Sequence, residues 1–259
     1  MGRLGALLNL SGRVAVVTGG SRGLGMQIAE ALGEFGAQVV LISRKVADLD
    51  EAKDRMSANG AKVHAVAANL ADHGAIAALA DDIGARFGRV DILVNNAGTT
   101  WGAPAEDHPL DVWTKVIDLN VTSLFLLSQA MARNFFLPQR KGAIINVASV
   151  EGLQAHHPAL PGTVAYNTAK GAVVNLTRAL AAEWGPKGIR VNAIAPGYFP
   201  SRMTAGTLAQ WEERLIDNTP LGKLGGPDDL KGVALLLASD AGGHISGQTI
   251  VVDGGAAII

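Results

Sequence analysis

The chain has no cysteine among its 259 residues. That excludes disulfides, thiolate nucleophiles and cysteine-ligated metal sites. It lacks any apolar run near the ~18 residues that a membrane-spanning helix needs. It also lacks a block of like charge, and the formal net charge is -1. Neither nucleic acid nor an anionic membrane is an expected partner. Met1 to Leu10 carries one arginine and a short broken apolar patch without a convincing cleavage site. We therefore expect a cytoplasmic protein with no signal peptide. Low-complexity runs and linkers are missing too. What is present is 48% hydrophobic and includes 32 glycines. One large α/β domain over residues 1–259 accommodates that composition.

Short apolar runs alternate with helical patterns along the chain. Val14 to Val17 reads as a strand buried on both faces. Gly19, Ser21, Arg22, Gly23, Leu24 and Gly25 follow it in a G-x-x-x-G-x-G turn, and a helical pattern runs on through Ile28, Ala29, Leu32 and Phe35. Strand, glycine-rich turn and helix together present backbone N–H groups to a phosphate. Further strands are expected at Gln38–Ser43, Lys62–Ala67, Val90–Val94, Gly142–Val147, Arg190–Ile194 and Thr249–Val252. Helices are expected at Asp48–Asn59, Asp72–Phe87, Trp113–Leu137, Ala165–Trp184 and Asp228–Ala238. Residues 198–219 have weak helical patterning and form a candidate substrate lid. The alternation predicts a doubly wound parallel sheet of about seven strands with helices on both faces, a Rossmann-type fold. Right-handed crossovers bring every strand's carboxyl end to one edge.

Residues that carry chemistry follow those ends. Ser43 closes the second strand without a carboxylate, and Arg44 and Lys45 come next. An acid there suits a free ribose 2′-hydroxyl, whereas a base suits a 2′-phosphate. Arg22 is placed to reach the same phosphate from the other side. Asn95, Asn96, Ala97 and Gly98 end the fourth strand, where small residues admit a flat ligand and asparagine can instead brace the turn. Asn120 is a polar residue inside an apolar helix and needs partners. Ser149 lies just past the fifth strand, in the crevice or as a turn-stabilising hydroxyl. His156 and His157 open a proline-rich loop to Gly162; with no third ligand in sight, a substrate-rim loop is expected rather than a metal site.

Tyr166 and Lys170 stand four residues apart on a helix, so both project from one face. A phenol with a pKa near ~10 is a poor base at neutral pH. Lowering it to roughly 7–8 takes about 3–4 kcal/mol. One cation about 4 Å away is worth roughly 4 kcal/mol at an effective dielectric near 20.

Thr18-Gly19-x-x-x-Gly23-x-Gly25, Asn95-Asn96-Ala97-Gly98, Asn120, Ser149, Tyr166-x-x-x-Lys170 and Pro196-Gly197 together resemble the short-chain dehydrogenase/reductase family over nearly the whole chain. The resemblance implies Tyr166 as proton donor, Ser149 as the hydrogen-bond donor to the substrate oxygen, and Lys170 as the group that binds the nicotinamide ribose and lowers the Tyr166 pKa. Asn120 would hold a water leading from Lys170 to solvent. NADP(H) is the expected cofactor, in preference to NAD(H). It would meet the glycine-rich turn, Ser43, Arg44, Asn69, Leu70, Asn96–Gly98, Pro196, Gly197, Phe199 and Ser201. Asn69 departs from the aspartate common at that position, and the Ser149-to-Tyr166 interval is longer than usual. Trp101, Glu151, Leu153, His157, Tyr198 and Met203 are candidate substrate contacts. Members most similar in motif are 3-oxoacyl reductases and gluconate 5-dehydrogenases. Apolar Trp101, Leu153, Leu160, Phe199 and Met203 favour a 3-oxoacyl thioester slightly over a sugar acid or polyol. A dinucleotide-binding regulator without turnover is the alternative of another class, and the full catalytic set argues against it. The family, and the all-round apolar helices at 121–127 and 173–180, lead us to expect a homotetramer.

Overall fold

A computed structural model of the protein describes residues 2–155, 160 and 162–259. Seven parallel strands form one sheet in the order β3-β2-β1-β4-β5-β6-β7. They are β1 (Val14–Thr18), β2 (Gln38–Ser43), β3 (Lys62–Ala67), β4 (Ile92–Asn95), β5 (Gly142–Val147), β6 (Ile189–Pro196) and β7 (Thr249–Val252). Helices α1 (Arg3–Leu8), α2 (Gly23–Glu34), α3 (Val46–Ala58) and α4 (Ile76–Phe87) precede α5 (Leu110–Ile117), α6 (Ser123–Met131) and the single turn α7 (Leu137–Gln139). After them come α8 (Val164–Trp184), α9 (Ala205–Asp217) and α10 (Lys231–Ala238).

The two-residue period of a strand divides the core into two layers. In β1, Ala15 and Val17 join a cluster with Ile28 and Leu32 of α2 and Leu235 of α10. Val14 and Val16 face the other way, with Ile83 of α4, Leu127 of α6 and Leu180 of α8. The helices therefore cover both sheet faces. The strand order reverses between β1 and β4. Ligands of open α/β sheets bind at such a switch point, outside the carboxyl ends.

The expected elements shift in informative ways. The single helix over Trp113–Leu137 starts earlier, at Leu110, and is broken by π turns at Asp118–Thr122 and Ala132–Phe136. The second π turn immediately precedes Pro138 of α7. Proline has no N–H and its ring crowds the carbonyl four residues back, so a wider turn relieves the ladder there. The helix expected from Asp72 begins at Ile76, after a 3₁₀ turn, and the one expected from Asp228 begins at Lys231. The strand expected from Val90 begins at Ile92; Asp91 just before it still pairs its backbone with Val14 and Ala143, and its carboxylate accepts from Val14 N (2.9 Å) and Arg89. The short helix α1 is an addition to the sequence reading; it buries no residue, so it left no periodic signal.

Candidate active site

The glycine-rich turn between β1 and α2 is shaped by close backbone approach. Gly19 and Gly23 take φ of 62° and 55°, the left-handed region that favours glycine. A Cβ on Gly25 would stand 2.4 Å from both Asn96 Nδ2 and Gly19 O. Asn96 Nδ2 donates to Thr18 O (3.0 Å) and Gly19 O (3.1 Å), so this side chain braces the turn. Thr18 Oγ1 accepts from the N–H groups of Asn96 (2.9 Å) and Ala97 (3.0 Å) and donates to Val94 O (3.2 Å). The β1 and β4 ends are thereby locked side by side. Arg22, at the head of α2, makes no side-chain cap. The first-turn N–H groups of that helix remain available to an anion.

A cleft of about 930 Å³ runs along the sheet edge from Arg44 past this turn to Tyr166. That lies in the range of pockets for small molecules and cofactors. Of the residues expected to touch a dinucleotide, all but Gly25 line it. Gly25 instead supplies the tight packing behind the turn. Ser43 and exposed Arg44 mark the end of β2. Arg22 does not stand clear beside Arg44: its Nη1 donates to Asp48 Oδ2 at 2.8 Å. Asn69 Oδ1 accepts from Ala71 N at 3.3 Å, shaping the turn after β3. Gly197 lies so close to Asp253 that a Cβ would meet its side chain at 2.7 Å. Phe199 lines the cleft but is mostly core, packed over Gly225. Ser201 exchanges hydrogen bonds with Thr204 (3.0 Å).

Tyr166, Lys170, Ser149 and Asn120 converge at the far end. Val150–Gly152 forms a 3₁₀ turn against α8, where a Cβ on Gly152 would stand 2.5 Å from the Lys170 carbonyl carbon. That close approach brings the Ser149 hydroxyl to the Tyr166 phenol, whose pKa it lowers. The signal for this glycine was its isolation between Ser149 and the helix, and it was not read as functional. Lys170 is 5% exposed. Its Nζ donates to Val147 O at 2.7 Å and lies 5.5 Å from the centre of the Tyr166 ring. Asn120, inside the first π turn, accepts from Thr99 N (3.3 Å) and donates to Thr99 O (2.8 Å) and Val116 O (2.8 Å). Its side chain is a satisfied core amide that ties the segment after Gly98 to the helix.

Electrostatics departs from the simple picture of a cation lowering a phenol. Burial pushes the Tyr166 phenol up to about 12; the Ser149 hydrogen bond lowers it and the Glu151 charge raises it further. Burial pulls Lys170 down to about 8. In the absence of cofactor, desolvation is the largest influence on both groups.

Glu151 neighbours this group. It takes Asn167 Nδ2 on Oε2 (2.6 Å) and on its carbonyl (3.0 Å), and the Tyr198 hydroxyl approaches Oε1 at 3.5 Å. Burial, and then the Glu151 charge, raises the Tyr198 pKa. Met203 lines the cleft. Trp101, Leu153 and Met203 are 50%, 42% and 45% exposed, and of the three only Met203 lines the cleft, so they do not enclose an apolar tunnel there. His157 lies outside the described residues. Among the described residues no group of three acidic or histidine side chains is placed to hold a metal.

A family profile described as "Enoyl-(Acyl carrier protein) reductase" matches residues 19–257. Gluconate 5-dehydrogenase of Gluconobacter oxydans is 38% identical over 251 residues, covering 96% of each chain. The rhamnolipids biosynthesis 3-oxoacyl-[acyl-carrier-protein] reductase of Pseudomonas aeruginosa is 39% identical, covering 95% of this chain and 97% of the relative. Among solved structures, a gluconate 5-dehydrogenase from Burkholderia cenocepacia in complex with NADP and tartrate superposes with a TM-score of 0.93 at 34% identity, covering 99% of this chain and all of the other. The chain belongs to the short-chain dehydrogenase/reductase family. It is accordingly an oxidoreductase that acts on CH–OH and keto groups.

Proposed function

We propose that the protein is an NADP(H)-dependent oxidoreductase that interconverts a ketone and a secondary alcohol on a polyhydroxylated substrate, a sugar acid or a polyol. The observation that carries the substrate class is the polar group of Glu151, Asn167 and Tyr198 beside Tyr166. A carboxylate and a phenol suit substrate hydroxyls, and burying them under an acyl chain would cost their hydration. The gluconate 5-dehydrogenase relatives point the same way. Trp101, Leu153 and Met203 favour the second reading, a 3-oxoacyl thioester, and so does the 3-oxoacyl reductase relative.

The cleft fits the cofactor: the glycines clear a path along the turn, α2 offers its N-terminus, and Arg44 awaits a 2′-phosphate at a strand tip with no carboxylate of its own. When bound, NADPH supplies the hydride to the carbonyl carbon. Ser149 and Tyr166 hold the carbonyl oxygen by their hydroxyls. Negative charge grows on that oxygen, and the Tyr166 hydroxyl passes its proton to it. A phenol at about 12 remains a stronger acid than an alcohol, so the transfer runs downhill. Lys170, on the same helix face, then steadies the phenolate by charge attraction. With its pKa at about 8, Lys170 can also return a proton near neutral pH. Oxidation of the alcohol runs these steps backwards.

The test is NADPH oxidation with 5-ketogluconate, a neutral ketohexose and an acetoacetyl thioester. The proposal expects the largest kcat/KM with one of the two hydroxylated ketones. A larger value with the thioester would establish the second reading instead.

A further inference from the structure

Three arginines line the adenosine end of the cleft, and two of them, Arg22 and Arg202, stand at one carboxylate. Asp48 lies in the first turn of α3, four residues after Arg44. Its Oδ2 accepts from Arg22 Nη1 at 2.8 Å, and Arg202 Nη1 stands 3.9 Å from the same oxygen. The Asp48 side chain is 20% exposed, against 45% and 68% for the two arginines. All four residues line the cleft. They come from different elements: Arg22 from the glycine-rich turn, Arg44 from the tip of β2, Asp48 from α3, and Arg202 from the segment after β6. Ser201 Cβ stands 3.9 Å from where a Cβ on Gly23 would be, so that segment lies over the turn. Arg44 is exposed where it lines the cleft.

Arg55 and Lys231, which also line the cleft, are paired with Glu30, Glu34 and Asp228, whereas Arg22 and Arg202 share the single carboxylate of Asp48. A carboxylate and a phosphate present the same kind of paired oxygens to a guanidinium. We infer that Asp48 is a placeholder for the cofactor's 2′-phosphate, holding Arg22 and Arg202 at the cleft until the phosphate takes them over. Asp48 is thus a specificity-determining residue that lowers the preference for a 2′-phosphorylated cofactor, and Arg202 joins Arg22 and Arg44 in gripping the phosphate. The inference rests on the NADP(H) reading above.

Titration calorimetry with adenosine 2′,5′-bisphosphate and adenosine 5′-monophosphate separates the two. If the unmodified protein binds both probes equally, the NADP(H) reading itself fails, whatever Asp48 does. If it prefers the bisphosphate, Asp48→Asn decides the role of Asp48. The variant is expected to bind the bisphosphate at least about threefold more tightly, the scale of a partly exposed ion pair, with the monophosphate unchanged. Unchanged or weaker bisphosphate binding would overturn the placeholder and make Asp48 a mere support for Arg22. A crystal structure of the unmodified protein with the bisphosphate gives a check that needs no variant. Arg22 is expected on the phosphate and parted from Asp48; a bound phosphate with the Arg22–Asp48 pair intact would contradict the inference.

Discussion

Lys170 shows how burial works on a single residue. Its amine is held at about 8 against 10.5 in water. Below pH 8 the folded and unfolded chains both carry the proton; between 8 and 10.5 only the unfolded chain does, so stability rises with pH across that window. The rise is of order 3 kcal/mol at about 1.4 kcal/mol per pH unit. Lys170→Met should abolish it, and urea unfolding of both proteins at about pH 7 and about pH 10 measures the difference. A gain of equal size in both proteins would refute the assignment. Arg44→Asp should reverse the cofactor preference, because it removes a charge-assisted grip worth about 1.5–3 kcal/mol and adds repulsion. Dissociation constants of NADPH and NADH for both forms check this, and an unchanged ratio would mean a merely solvated Arg44. The residues of the reacting end could be picked out in the sequence, Tyr166 and Lys170 by helical spacing and Ser149 by its strand end, but their roles came from the family resemblance. Asp48 and Arg202 could not be picked out, because ion pairs between distant segments leave no periodic trace. The need of Asn120 for partners followed from its apolar setting, and its side chain finds them in the backbone of Thr99 and Val116.

Among the elements, strands were read more accurately than helices. A strand is a short run whose ends are set by turns, and β2, β3, β5 and β7 begin and end where those runs do, whether central or at the sheet edge. The long apolar helix hid its π turns, since a one-residue slip in the hydrogen-bond ladder barely alters an already apolar pattern. α9 was faint for the opposite reason: of its 13 residues only Leu215 is buried. A helix with so little buried contact opens at low cost. We propose residues 198–219 as the lid, with α9 moving as part of it. Amide exchange across 198–217 is then expected to slow on NADPH binding, while exchange in β1 and β5 stays as it was. Equal exchange with and without cofactor would remove the lid from the account.

At the scale of the whole molecule, apolar surface is left over. Val121, Phe125, Leu126 and Leu176 are only half-buried, and Val251 of the edge strand β7, Ile258 and Ile259 are exposed. Apolar helix faces are normally covered, and an uncovered sheet edge invites another chain. We propose that two separate surfaces of this kind build a tetramer of paired dimers. Sedimentation at micromolar concentration is expected to show a tetramer, and a stable monomer would exclude it. The central claim is that this fold brings one acid, Tyr166, to the oxygen of a ketone. Its most direct measurement is NADPH oxidation by Tyr166→Phe on the best substrate, with NADPH affinity measured alongside. The account predicts unchanged affinity and a turnover lower by at least ~10², the low end for general acid catalysis. Near-unmodified turnover by the variant would contradict it.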